Sequence, residues 1–250
     1  MRIQLHVFLT VLILFSSVVV GAAVGAKPDV APVISFRYVA PMTTPSDSEG
    51  EKAMQVFADG KYVINTMHGP QRHLEGQFEG EEVKDLLHFV IDKHRFYKFD
   101  ANRLRALPAA ADDMAATEIR VRHEGRDQRY RVEALQAAAT FWPKDEALGA
   151  LYAIERKLKW LMSVETAGGV DAVRDAACIA SAAIREQYPA APDVDHTDLE
   201  LAHFLVDGGV RLRFLKNIAV EADGKRQYVF AELDRSGSGV ITITTKAVLQ

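Results

Sequence analysis

Two neighbouring segments, 117–123 and 128–134, alternate apolar with polar residues and carry arginines at Arg120, Arg122, Arg129 and Arg131. Period-two alternation predicts a β-hairpin with Ile119, Val121, Tyr130 and Val132 on its inner face. With Gly125-Arg126 as the turn, Arg122 stands opposite Arg129 and Arg120 opposite Arg131 on the outer face. Like charges directly opposed across strands are destabilising, and a two-residue slip that keeps the apolar face inward still leaves one arginine pair. Four guanidinium groups on one small face make a candidate anion site for carboxylate, phosphate or sulfate groups, because arginine presents forked donors to such groups. The competing reading is a solvated outer face relieved by Glu118, Glu124 and Glu133.

A second cluster, Asp193, Asp195, His196 and Asp198, follows a proline and could hold a hard cation or zinc. A solvated polar loop is the far commoner use of such a cluster. Asp234-Arg-Ser-Gly-Ser-Gly imitates the start of a calcium loop, but the twelfth position is Thr245 where a bidentate Glu is required, so a hairpin turn is expected. His68 and His73 flank a turn, and His88 and His94 fall on different faces of one helix; neither is a recognised ligand spacing. Nucleophile elbows, zinc-protease helices, phosphate-binding glycine loops and paired cysteines do not occur. No cofactor is expected. Cys178, the only cysteine, excludes an intramolecular disulfide framework and reads as a small packed side chain.

The chain begins with Arg2, an apolar run from Val7 to Val20 and the small residues Gly21–Ala26. This is the pattern of a secretory signal peptide over 1–26, cut between Ala26 and Lys27; an uncleaved anchor is the alternative. Taking Arg2 from the 30 Lys and Arg leaves 29 against 34 Asp and Glu, a net of minus five. Such a balance argues against nucleic-acid binding. The mature chain is expected to be secreted or periplasmic, with no membrane association after cleavage.

These residues need elements to position them. Val83, Leu86, Leu87, Val90 and Ile91 recur at helical spacing in the stretch 80–99, with Glu81 and Glu82 at its start and Lys93, His94 and Arg95 towards its end. Its aromatic exit, Phe96, Tyr97 and Phe99, is expected to close one end of a core. Alternating segments around Ile34–Tyr38, Met54–Ala58, Lys61–Met67 and His73–Phe78 supply a sheet, with Asp59-Gly60 as a hairpin turn. A second helix is expected from Pro143 to about Met162, and a third from Val170 to Tyr188. Residues 104–116 read as a loop, and 199–206 are ambiguous between helix and strand. The order of elements predicts an α+β protein of two small domains, each an antiparallel sheet packed on amphipathic helices. Thr166-Ala167-Gly168-Gly169 is the expected joint, giving an N-terminal domain over 27–166 and a C-terminal helix-plus-three-strand domain over 170–250.

One helix followed by antiparallel strands and the Asp-containing turn AELDRSGSGVITI resembles the PepSY and cystatin-like α+β modules of exported bacterial proteins, over about residues 170–246. The N-terminal half resembles an exported bacterial domain of unknown function. The resemblance implies a binding, inhibitory or regulatory role. The expectation is a noncatalytic binding or regulatory protein of the bacterial envelope, with an anionic envelope polymer or a protein as partner. The alternatives are an envelope hydrolase with dispersed catalytic residues and a cation-binding structural protein.

Overall fold

The computed structural model describes residues 31–39, 53–66, 69–107, 114–220 and 226–249. The leader with its Ala26–Lys27 junction, and His68, lie outside the described residues. Alternation in ISFRYV forms β1 (Ile34–Val39). The hairpin β2 (Met54–Val56) and β3 (Lys61–Asn65) turns as expected at Asp59-Gly60, where Gly60 has φ 90° and Asp59 Oδ1 accepts the Lys61 N–H at 3.0 Å. β4 (His73–Gln77) pairs with β3 and sets Gly76 opposite Tyr62.

Helix α1 (Gly80–Leu87) opens on a reciprocal capping box between Glu79 and Glu82 and buries Val83 and Leu86. The helix was expected to run to Phe99, but after Leu87 it widens into a π-helical turn, His88–Lys93, in which His94 N–H bonds the Phe89 carbonyl at 3.2 Å. Arg95 then takes a left-handed conformation, φ 51°, and ends it. The aromatic exit closes the core: Phe96 is fully buried, and the Tyr130 hydroxyl donates to the carbonyls of Phe96 and Phe99 at 2.9 and 2.8 Å. Helix α2 (Ala101–Arg105), capped by Asp100, occupies part of the stretch read as a loop.

The hairpin of β5 (Ala116–His123) and β6 (Arg126–Glu133) leads into α3 (Leu135–Phe141) and α4 (Glu146–Ala167). Pro143 does not start the long helix. Asp145 caps it instead, accepting the N–H groups of Ala147 and Leu148 at 3.0 and 3.1 Å. Gly168, at φ 99°, terminates α4, and α5 (Val170–Gln187) begins two residues later, after Gly169. Cys178 is exposed on α5 and not packed, a correction to the expectation from sequence. Strands β7 (Leu199–Phe204), β8 (Val210–Val220), β9 (Arg226–Arg235) and β10 (Ile241–Leu249) follow. The ambiguous segment is thus a strand, which makes four strands after α5 where three were expected.

The protein is α+β with two antiparallel sheets, ordered β4-β3-β2-β1-β5-β6 and β10-β9-β8-β7. In the first core Phe36, Ile64 and Ile119 meet Leu148, Leu151, Ile154 and Leu158 of α4. In the second, Val173, Ala180 and Ile184 of α5 meet Leu212, Phe214 and Val229. The expected joint at 166–169 is a tight turn between two helices. The last turns of α4, through Val164 and Ala167, belong to the second core, and Ser163 Oγ accepts the Ala202 N–H of edge strand β7 at 3.2 Å. The described residues all belong to one compact unit.

Candidate functional site

The arginine hairpin folds two residues out of the expected register. Glu124 and Gly125, both at positive φ, form its turn, so Arg126 joins β6 as the partner of His123. A two-residue turn with positive φ at both places matches the strand twist, and Gly125 suits its second place. The outer-face pairs become Arg122 with Asp127, Arg120 with Arg129 and Glu118 with Arg131. One arginine pair survives the slip, and acids answer the others. Arg120 makes a forked contact to Asp127, 2.7 Å from Nε and 2.5 Å from Nη2, and Arg122 Nε reaches the same carboxylate at 3.1 Å. Hydrogen bonds from Arg120 first, then Arg122, pull the Asp127 pKa down to about 2. Glu118 binds the buried Arg37 at 2.8 Å and lies 3.9 Å from Arg129. Arg131 is half-buried beside a separate hollow that Arg105 and Glu133 also line.

The acidic cluster is divided among local tasks. Asp193 pairs with Arg185 at 3.1 Å. Asp195 caps the turn His196–Asp198, accepting the Thr197 N–H at 2.6 Å, while Asp198 accepts the Asp195 N–H at 2.9 Å and the Lys216 ammonium at 2.7 Å. Among the described residues, no group of three or more His, Cys, Asp and Glu is placed to hold a metal ion. Asp234 of the calcium-like loop is held by Arg211 Nε and Nη2 at 2.6 and 2.5 Å, and a hairpin turn follows, as expected.

A different part of the fold gathers the features of a binding site. Helix α4 is apolar on more than its core-facing side: Trp160 and Leu161 lie outside the row Leu148, Leu151, Ile154 and Leu158. With α1 on one side and the first turn of α5 beyond, they bound a cleft of about 380 Å³. Its apolar surface comes from Phe78, Leu86, Phe89, Trp160, Leu161 and Val164. Its charged residues are Glu82, Asp85, Glu165 and Lys157. A cleft of this size, mainly apolar with a few converging polar groups, is the usual form of a small-ligand site. The π-helical turn contributes Phe89, and such turns recur at functional sites.

The polar groups are held in place. The Trp160 indole N–H donates to the His196 carbonyl at 3.2 Å, so the metal-candidate loop acts here through its backbone. Lys157 Nζ stands 4.2 Å from the centre of the Trp160 ring. Burial lowers the Lys157 pKa, against the opposing charges of Asp85 and Glu82. The Tyr62 hydroxyl donates to Glu165 Oε2, and the Tyr62 ring packs on Phe78 with centroids 4.5 Å apart. Burial raises the Glu165 pKa and Glu82 adds to the rise, while the Tyr62 bond opposes it. Burial also raises that of Tyr62.

None of the charged residues of this cleft is among the candidate site residues of the sequence; Glu82 enters there only as a first-turn acid of its helix. The available signal was the width of the apolar surface on α4: a helix serving one core needs only a stripe. The chain matches no protein-family model, and neither a curated protein nor a solved structure is similar to it.

Proposed function

We propose that this protein is an exported, noncatalytic binding or regulatory module of the bacterial envelope, and that it works through the cleft between α1 and α4. The observation that carries the reading is the cleft itself, about 380 Å³ with Phe89, Trp160 and Leu161 on its walls and, among the described residues, four charged side chains. The leader-like N-terminus supports export. The resemblance of residues 170–246 to PepSY and cystatin-like modules accords with a role in binding or regulation. The arginine hairpin contributes less to this reading, because Asp127 and Glu118 already engage Arg120, Arg122 and Arg129.

An envelope hydrolase is the second reading, and one observation favours it. Glu165 is a carboxyl group with a raised pKa in a cleft, a setting that suits a general acid. The two readings part on turnover. The test of binding is titration of the purified protein with the neutral apolar dye Nile red, in the parent and in Phe89→Asp. The expected result is saturable fluorescence enhancement in the parent, lost in the variant, with helix content unchanged by circular dichroism. Absence of saturable binding, or equal binding by both proteins, would overturn the cleft as the working surface.

A further inference from the structure

We propose that the cleft recognises a small organic cation, an amine carried on an apolar body, an inference that rests on the cleft being the binding surface. Charge complementarity points this way. Among the described residues, three carboxylates, Glu82, Asp85 and Glu165, line the cleft against one lysine, Lys157. A carboxylate or phosphate ligand would meet all three. An ammonium group would be attracted by each, and the low polarity of the apolar walls strengthens that attraction.

The cleft already displays this recognition on a small scale. Lys157 lays its ammonium group over the Trp160 ring at 4.2 Å, while the negative charges of Asp85 and Glu82 act on it. An aromatic face flanked by carboxylates is the arrangement that receives ammonium ligands. Lys157 therefore occupies the place of the ligand's own cation. Its flexible stem lets it swing into solvent when a ligand amine arrives, whereas the indole stays fixed by its bond to the His196 carbonyl. The remaining walls, Phe78, Leu86, Phe89, Leu161 and Val164, then cover the apolar body. Glu165, steadied by the Tyr62 hydroxyl, supplies a further carboxylate within the same cleft.

The decisive probes share one apolar body: 4-phenylbutylamine, 4-phenylbutanol and 4-phenylbutyrate, titrated calorimetrically into the purified protein at pH 7.5. The amine is expected to bind about tenfold more tightly than the alcohol, and the carboxylate more weakly than either. Lys157→Met, which keeps an apolar stem and vacates the indole face, is expected to tighten amine binding about threefold without tightening the alcohol. Asp85→Asn combined with Glu165→Gln is expected to bring the amine down to the affinity of the alcohol. Circular dichroism checks the fold of each variant, and Lys157→Gln repeats the test with a polar stem. Equal or tighter binding of the alcohol overturns the cation proposal and leaves the binding reading standing. So does weaker amine binding in both folded Lys157 variants. If Nile red binds saturably and none of the three probes does, the cation proposal alone fails; if Nile red does not bind either, both fail.

Discussion

Replacing Gly76 by alanine should destabilise the protein, although glycine in a strand interior is ordinarily a weak residue that alanine improves by about 0.5–1 kcal/mol. The reason lies across the strand pair. Gly76 stands opposite Tyr62, and a methyl group there would fall 2.8 Å from Tyr62 Cε1 and nearer still to Cζ and the hydroxyl. Gly76 does not have positive φ, so the obstruction is one of space alone. Overpacking of this kind costs about 1–3 kcal/mol. Setting that against the strand gain leaves a net loss between about 0 and 2.5 kcal/mol, and a contact this close places it in the upper part of that range. Tyr62 is tied at both ends, by the Phe78 ring 4.5 Å away and by its hydrogen bond to Glu165, so it cannot yield without disturbing the cleft. Urea unfolding followed by circular dichroism measures the loss. In a Tyr62→Val background, where the ring is gone, the same substitution should be neutral or stabilising, and that non-additivity is the signature of direct contact. A Gly76→Ala protein as stable as the parent, or an equal loss in both backgrounds, would show that Tyr62 does not obstruct a side chain at Gly76.

Further expectations concern the ionised groups. Asp127 has a folded pKa of about 2, below its ordinary 3.8, so its contribution to stability is complete above that ordinary value and is lost as pH falls towards 2. The shift corresponds to about 2 kcal/mol, which solvent screening at this exposed site reduces to about 1 kcal/mol or less. Asp127→Asn should therefore lose about that much at pH 7 in low salt and less in 1 M salt, as read by urea midpoints. Glu165 shows the opposite sign: its folded pKa is raised, so its contribution is present at acid pH and lost as pH rises through that value. Glu165→Gln should gain stability relative to the parent as pH rises above the ordinary carboxyl value of 4.5, read in thermal melts, while losing amine affinity; a difference that does not change with pH would contradict the assigned shift. Asp145→Ala removes both the α4 cap and the forked pair with Arg103, at 2.7 and 3.0 Å, and should cost about 1–2 kcal/mol, whereas Asp145→Asn, which can still cap, should cost less.

The sequence made the fold class and most elements legible because they rest on local periodicity. The stripe Val83, Leu86 and Val90 is buried as expected, and Asp59-Gly60 turns its hairpin. Errors gathered where competing local signals had to be ranked. Pro143 suggested a helix start, yet the capping oxygen of Asp145 defines it two residues later. Gly125-Arg126 and Glu124-Gly125 are both plausible turns by composition; in the observed register Gly125 takes the second positive-φ place and the Asp127 carboxylate reaches Arg120 and Arg122. The cleft was harder to foresee, since its charges come from α1 and α4, separated by some 70 residues, and Tyr62 reaches Glu165 across 103 positions. Helical periodicity says which face is apolar, but not which neighbouring carboxylates will border it.

The central claim, that this protein binds ligands in the cleft beside Trp160, is tested most directly by nuclear magnetic resonance of the nitrogen-15-labelled protein during titration with 4-phenylbutylamine. The indole N–H signals of the two tryptophans report from different places, since Trp160 lines the cleft and Trp142 packs against Phe141. The expected result is a saturable shift of the Trp160 indole signal, accompanied by amide shifts in 82–89 and 157–170, with Trp142 unmoved. Saturable shifts confined to the arginine hairpin, 118–131, or no saturable shift at Trp160, would contradict it.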